Sequence, residues 1–210
     1  MRIGLFFGSF DPIHIAHINV ASCVLNSGLC DKVLFVVAQH NPWKERTPAP
    51  FELRCKMVEE SIKALGHKCE VCDLEKDIEP PTYTYKVLNK LMELYPQDEL
   101  FIICGSDTVE CISQWKNFES EIKNKVGIIE VKRGDGTEID NKKRPFIVHQ
   151  GERSDLTDKE FWYIKTQRME ASSTLVRNMI EKGMNPYPYV SKEVLETIKR
   201  NNLYTDGKAI

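Results

Sequence analysis

Strand-length apolar runs alternate with helical patterns along this chain, and that alternation admits few folds. The runs are "RIGLFF" (2–7), "KVLFVVA" (32–38), "KCEVCDL" (68–74), "LFIICG" (100–105) and "VGIIEVK" (126–132), with shorter ones at "FIVHQ" (146–150) and "FWYIKT" (161–166). Near-continuous apolar runs bounded by polar residues suit strands covered on both faces. Between them, Ile18, Ala21, Val24, Leu25 and Leu29 mark one helix face. Phe51, Leu53, Met57, Val58, Ile62 and Leu65 mark a second behind Pro50, and Val87, Leu88, Leu91 and Leu94 mark a third closed by Pro96. The pattern predicts an α/β fold, a parallel sheet wrapped by helices.

The stretch "GDGTEIDNKKR" (134–144) reads as a polar loop. Two late helices follow. "STLVRNMIEKG" ends at Gly183 as a C′ residue, and "SKEVLETIKRNN" starts at a Ser191 cap and ends near Asn201. No repeat, low-complexity tract or linker interrupts the pattern. The expected organisation is one domain over 1–210 with a helical C-terminal subregion at about 172–205.

Composition narrows the function classes. Hydrophobic residues make up 41% and charged residues 29%, which fits a soluble globular protein. The net charge of −2 supplies no global field toward a nucleic acid polymer, so any bound anion is held by local chemistry. No run approaches the roughly 18 apolar residues of a membrane helix. "RIGLFF" is too short for a signal-peptide core, which makes the cytoplasm the default location. The seven cysteines are odd in number and irregular in spacing, against a secreted disulfide framework. "CEVC" (Cys69–Cys72) is formally a C-x-x-C, but it sits in a strand, where positions three apart face opposite ways. Buried or half-buried thiols are the expectation there, rather than redox or zinc chemistry.

The first turn carries the chemistry. "GSFDPIHIAH" (Gly8–His17) follows the first strand, at the edge of an open sheet where ligands bind. Gly8 permits close backbone approach, and Pro12 stiffens the turn. A helix starting near His14 puts His14 and His17 one turn apart, facing one pocket beside free helix amides. Such a site can bind phosphate and stabilise charge growing on a phosphoryl group. Two histidines at this spacing also serve simply to cap or pack a helix. They also suit a metal, with Asp11 the only nearby third ligand. No G-x-x-x-x-G-K-[ST] and no G-x-G-x-x-G follows the first strand, which argues against a P-loop kinase and a nicotinamide-dependent dehydrogenase.

"GSFDPIHIAH" resembles the G-x-F-D-P-x-H-x-G-H signature of the HIGH-motif nucleotidyltransferase superfamily. "ASSTLVR" (Ala171–Arg177) resembles its I-S-S-T-x-x-R signature. Within the superfamily the chain is most similar to the bacterial nicotinate mononucleotide adenylyltransferases. The further matches are "NPWK" (41–44), "PTYTYKVLNKL" (81–91), "FIICGSDTVECISQWKN" (101–117) and the C-terminal "YVSKEVLETIKRNNLY". Ala16 replaces the motif glycine, Ala171 replaces an isoleucine, and "VKRGDG" lacks the usual R-P-G.

The resemblance implies a Rossmann-like, doubly wound sheet and adenylyl transfer from ATP to a pyridine mononucleotide, with no covalent enzyme intermediate. It assigns His14, His17, Lys44 and Arg177 to the catalytic charge. Gly8, Ser9, Phe10, His17, Gly105, Asp107, Ser173, Thr174 and Arg177 would bind ATP. Ser9, Phe10, Lys44, Tyr83, Thr84 and Trp115 would bind the mononucleotide. Ser173 and Thr174 stand at a helix start, where hydroxyls ordinarily cap. Asp107 suits either a ribose contact or a cap, and Trp115 suits stacking on a flat pyridine ring. Magnesium is expected to bridge the ATP phosphates, held mainly by substrate oxygens and water with little protein ligation. Nicotinamide mononucleotide and phosphopantetheine are rival acceptors, and a non-catalytic nucleotide-binding regulator is a rival of another class. The pattern leaves a homo-oligomer open.

Overall fold

A computed structural model describes residues 1–39, 47–134 and 146–205. Seven strands form one sheet: β1 (Arg2–Gly8), β2 (Lys32–Val37), β3 (Cys69–Cys72), β4 (Glu99–Gly105), β5 (Gly127–Arg133), β6 (Phe146–Gly151) and β7 (Phe161–Thr166). Their spatial order is β3-β2-β1-β4-β5-β7-β6. The chain builds outward from β1 to β3, then returns to lay β4 against the other side of β1. Leu5 of β1 stands in register with Leu34 of β2 and Ile102 of β4.

Alternate residues on each strand feed two cores. Phe6, Phe35, Ile103 and Ile129 face one side, with α1 (Ile15–Ser27), α2 (Phe51–Ile62), α6 (Ser173–Glu181) and α7 (Lys192–Arg200) packed over them. Leu5, Val36, Ile102 and Ile128 face the other, beneath α3 (Thr84–Leu94), α4 (Ser106–Cys111) and α5 (Phe118–Glu121). The doubly wound expectation holds, because the crossover changes face where the strand order reverses. In one respect the sheet departs from the expected parallel form: β6 runs antiparallel to β7 at the edge. The nine-odd residues between them are too few for a crossover helix.

The late helices start and stop as their caps require. Ser191 accepts from the Val194 N–H at 3.2 Å to start α7. Gly183 takes a φ of +70° behind α6, and the Met184 N–H reaches back to the Met179 carbonyl at 2.8 Å. Of the polar stretch 134–144, Gly134 donates to the Thr166 carbonyl at 2.7 Å, and the rest lies outside the described residues.

The cysteines are free thiols. Cys69 joins one core and Cys72 packs against the other, as strand alternation requires. Burial pushes the Cys23, Cys55 and Cys69 thiols up to about 11 and Cys30 up to about 12. It raises Cys72 and Cys104 as well, while Cys111 stands exposed. A disulfide reagent at pH 8 is therefore expected to titrate Cys111 quickly in the folded protein, and the others only after denaturation. Fast reaction of three or more thiols in the native state contradicts this.

Candidate functional site

Each crossover helix runs back against its strands, so its N-terminus returns to the carboxyl edge of the sheet. The ends of β1 and β4, Gly8 and Gly105, meet there with the starts of α1, α3, α4 and α6. The switch point lies between β1 and β4.

The loop after β1 is held from within. A Cβ on Gly8 would fall 2.7 Å from the Phe10 ring, so only glycine fits. Phe10 takes a φ of +45°, a strained setting for a non-glycine residue, and is locked by ring contacts with Phe6 and Phe35 at 5.6 and 5.5 Å. His14 occupies the N-cap of α1, and its backbone N–H donates to His17 Nδ1 at 3.2 Å. The two imidazoles lie 3.7 Å apart at 31°, with the Phe10 ring 5.1 Å from His17. The pairing expected from the spacing is therefore present. With Nδ1 accepting, a neutral His17 carries its proton on Nε2 and acts as a donor there. Ala16 sits half-buried in the first turn of an uninterrupted helix.

The second motif closes on this loop. Ser173 Oγ donates to the Pro12 carbonyl at 2.8 Å, and Arg177 Nη1 donates to the Asp11 carbonyl at 2.6 Å. Arg177 Nη2 also reaches Thr174 Oγ1 at 3.1 Å. The capping expectation is corrected here: Ser172 caps α6, accepting from the Leu175 N–H at 3.0 Å. Ser173 and Thr174 are thereby released from the cap and bind instead to the loop and to Arg177.

Asp11 is the junction. Only 6% exposed, its Oδ1 accepts from the Ala49 N–H at 3.1 Å and the Tyr204 hydroxyl at 2.7 Å, and Arg177 Nη1 lies 4.0 Å from Oδ2. These partners turn the carboxylate away from the role of third metal ligand. Among the described residues, no group of three or more histidine, cysteine, aspartate or glutamate residues could hold a metal ion.

Gly105, Asp107, Tyr83 and Thr84 stand at the helix starts on the same edge. Gly105 caps α4, and a Cβ there would fall 2.7 Å from Asp107 Oδ1. Asp107 is exposed in the first turn of α4 and accepts from the Thr108 N–H at 3.0 Å. Tyr83 is the N-cap of α3 and stacks on Tyr85 with centroids 6.1 Å apart, and Thr84 opens the helix. Trp115, half-buried, backs onto the same core as Tyr85. Ser9 enters through its carbonyl, which Arg54 binds at 2.8 Å. Lys44 lies outside the described residues.

Sequence reasoning missed two buried charges at this edge. Arg54, 1% exposed, donates to the carbonyls of Ala49, Ser9, Ala38 and Gln39 at 2.6 to 3.0 Å. Burial lowers its guanidinium from the ordinary value, and Asp11 opposes that shift. Glu75, 4% exposed, accepts from the Gln39 N–H at 2.9 Å and the Thr82 hydroxyl at 2.8 Å. Burial raises its carboxyl above the usual carboxylate range, against the pull of those two donors.

Comparison with known proteins follows the geometry. The cytidylyltransferase-like family model matches residues 5–179. A Flavobacterium johnsoniae protein named "Probable nicotinate-nucleotide adenylyltransferase" is 31% identical over 97% of this chain and 99% of its own length. One of the same name from Maridesulfovibrio salexigens is 34% identical over 93% and 94%. In structure, the chain resembles a Plasmodium falciparum nicotinic acid mononucleotide adenylyltransferase complexed with NaAD. That match has a TM-score of 0.74 at 22% identity, and covers 97% of both chains.

Proposed function

We propose that this chain, which belongs to the cytidylyltransferase-like family and within it to the nicotinate-nucleotide adenylyltransferases, transfers the adenylyl group of ATP to nicotinate mononucleotide, forming deamido-NAD and pyrophosphate. The observation that carries the reading is the closure of the two motifs on each other through Ser173–Pro12 and Arg177–Asp11. One triphosphate then meets imidazoles, hydroxyls and a guanidinium together.

In the reaction, a 5′-phosphate oxygen of the mononucleotide bonds to the α-phosphorus of ATP. The bond from that phosphorus to the bridging oxygen breaks, and pyrophosphate leaves with the electron pair. No side chain acts as nucleophile, so the protein's contribution is alignment and charge stabilisation. His17 Nε2–H donates to oxygens that gain charge as the bond breaks. Arg177, Lys44 and the His14 ring add to the same field, and the N-termini of α1 and α6 point amides at it. Ser9 and Phe10 separate the two nucleotides, Asp107 accepts from the ATP ribose, and Thr84 and Trp115 take the pyridine with Tyr83. Magnesium, when bound, neutralises the phosphate oxygens that hold it. The nearest carboxylate, Asp11, already has Ala49, Tyr204 and Arg177 as partners, which fits a metal carried by substrate oxygens and water.

Pyrophosphate release from ATP and magnesium, with nicotinate mononucleotide, nicotinamide mononucleotide and phosphopantetheine in parallel, tests the reading. The acid form is expected to be favoured by about tenfold or more, since an amide leaves one hydrogen-bonding group mismatched. Thr84→Ala should erase most of that preference, and Trp115→Ala should raise KM for both pyridines. Equal use of both wild-type pyridines overturns the acceptor. ATP binding without release in every arm supports the regulator instead.

A further inference from the structure

We propose that Arg54 and Glu75 are positioning residues that hold the loop between the two nucleotides in register with the pyridine segment by gripping one peptide group between them. The proposal rests on the function argued above. The group is the Ala38–Gln39 peptide at the end of β2. Its carbonyl accepts from Arg54 Nη1 at 2.6 Å, and its N–H donates to Glu75 Oε2 at 2.9 Å. Positive charge therefore meets the negative end of the peptide dipole, and negative charge the positive end, in a setting that excludes water from both side chains. Each contact polarises the other.

From this peptide the pair reaches in opposite directions. The same guanidinium nitrogen, Arg54 Nη1, holds the Ser9 carbonyl at 2.8 Å, one residue from Phe10 in the phosphate loop. The same carboxylate oxygen, Glu75 Oε2, accepts from the Thr82 hydroxyl at 2.8 Å, one residue before Tyr83 and the start of α3. An unbroken chain of short contacts thus runs Ser9, Arg54, Ala38–Gln39, Glu75, Thr82. It joins the loop that separates the two nucleotides to the segment assigned to the pyridine. Adenylyl transfer needs two phosphates in line, where a small misplacement is felt strongly in the rate. A full guanidinium and a full carboxylate in this buried position supply a stiffer link than neutral residues would.

Three variants test the link: Thr82→Val, Glu75→Gln beside Glu75→Ala, and Arg54→Lys. Thr82→Val removes one hydroxyl from a half-buried site, so it folds with little change in melting temperature. It is expected to raise KM for the mononucleotide by about fivefold to tenfold while KM for ATP stays within about twofold. Glu75→Ala should do the same more strongly, and Glu75→Gln, which retains an acceptor oxygen but not the charge, should recover only part of the loss. Arg54→Lys, which keeps the charge but not the fork, should raise both KM values. Hydrogen exchange reports the link without turnover. In Arg54→Lys, amides of residues 82–86 should exchange faster, although the guanidinium touches none of them. A Thr82→Val enzyme in which neither KM moves, or both move alike, overturns the proposal. So does faster exchange in Arg54→Lys confined to residues 8–10 and 38–54. If the wild-type protein shows no turnover with any acceptor, the proposed function falls. The exchange result then still decides whether the two segments are linked.

Discussion

Replacing His17 by alanine is expected to lower kcat for pyrophosphate release by about 10²–10³-fold, the loss typical of removing one preorganised donor from a developing anion. The His14 backbone N–H occupies Nδ1, which orients the ring and puts the proton on Nε2. The Phe10 ring and the His14 imidazole hold it from two further sides. Such a donor meets its full charge only as the α-phosphorus bond breaks, so kcat should fall far more than either KM rises. Steady-state kinetics at saturating ATP separates these quantities. His17→Gln, whose amide can still donate, should recover part of the rate. A loss below about fivefold in His17→Ala, with the fold intact, removes His17 from the chemistry.

Asp11→Ala is expected to have the largest effect on stability. It strips the acceptor from the Ala49 N–H and the Tyr204 hydroxyl and leaves the Arg177 guanidinium without its nearby carboxylate. Breaking a buried network of this kind costs about 3 kcal/mol. For a chain of this size that lowers the melting temperature by about 6–12 °C. Asp11→Asn, which retains one acceptor oxygen, should lose roughly half as much. The measurement is thermal unfolding by circular dichroism. A shift within about 2 °C for the alanine variant shows that Asp11 holds neither the C-terminal segment nor α6 in place.

The parts of this molecule that were legible in its sequence are those that repeat or that stand in a motif. Strand-length runs such as "KVLFVVA" announce their elements because burial on both faces demands apolar residues at every position. His14 and His17 were legible as a pair because helical spacing alone sets their neighbourhood. The antiparallel setting of β6 was not, since strand direction depends on the length of a connection and not on the strand's own residues. Ser172 as the cap of α6 was hidden by a run of two serines and a threonine, any of which could have served. Arg54 did leave a signal: it lies on the apolar stripe with Phe51, Met57 and Val58, where a charge has no reason to be unless it is bound. Glu75 left none, because "DLEKDIEPP" offers four carboxylates, at 73, 75, 77 and 79, and only the tertiary structure shows which one turns inward.

The hydroxyl of Tyr204 meets a carboxylate 193 residues earlier in the chain. During synthesis, β1 to β5 can pair before α6 and α7 have been made, yet the loop after β1 waits for its contact with Tyr204. A nascent chain stalled after β7 would carry a sheet without a finished pocket. Nucleotide can therefore stabilise this protein only once the segment through Tyr204 has docked on the loop after β1.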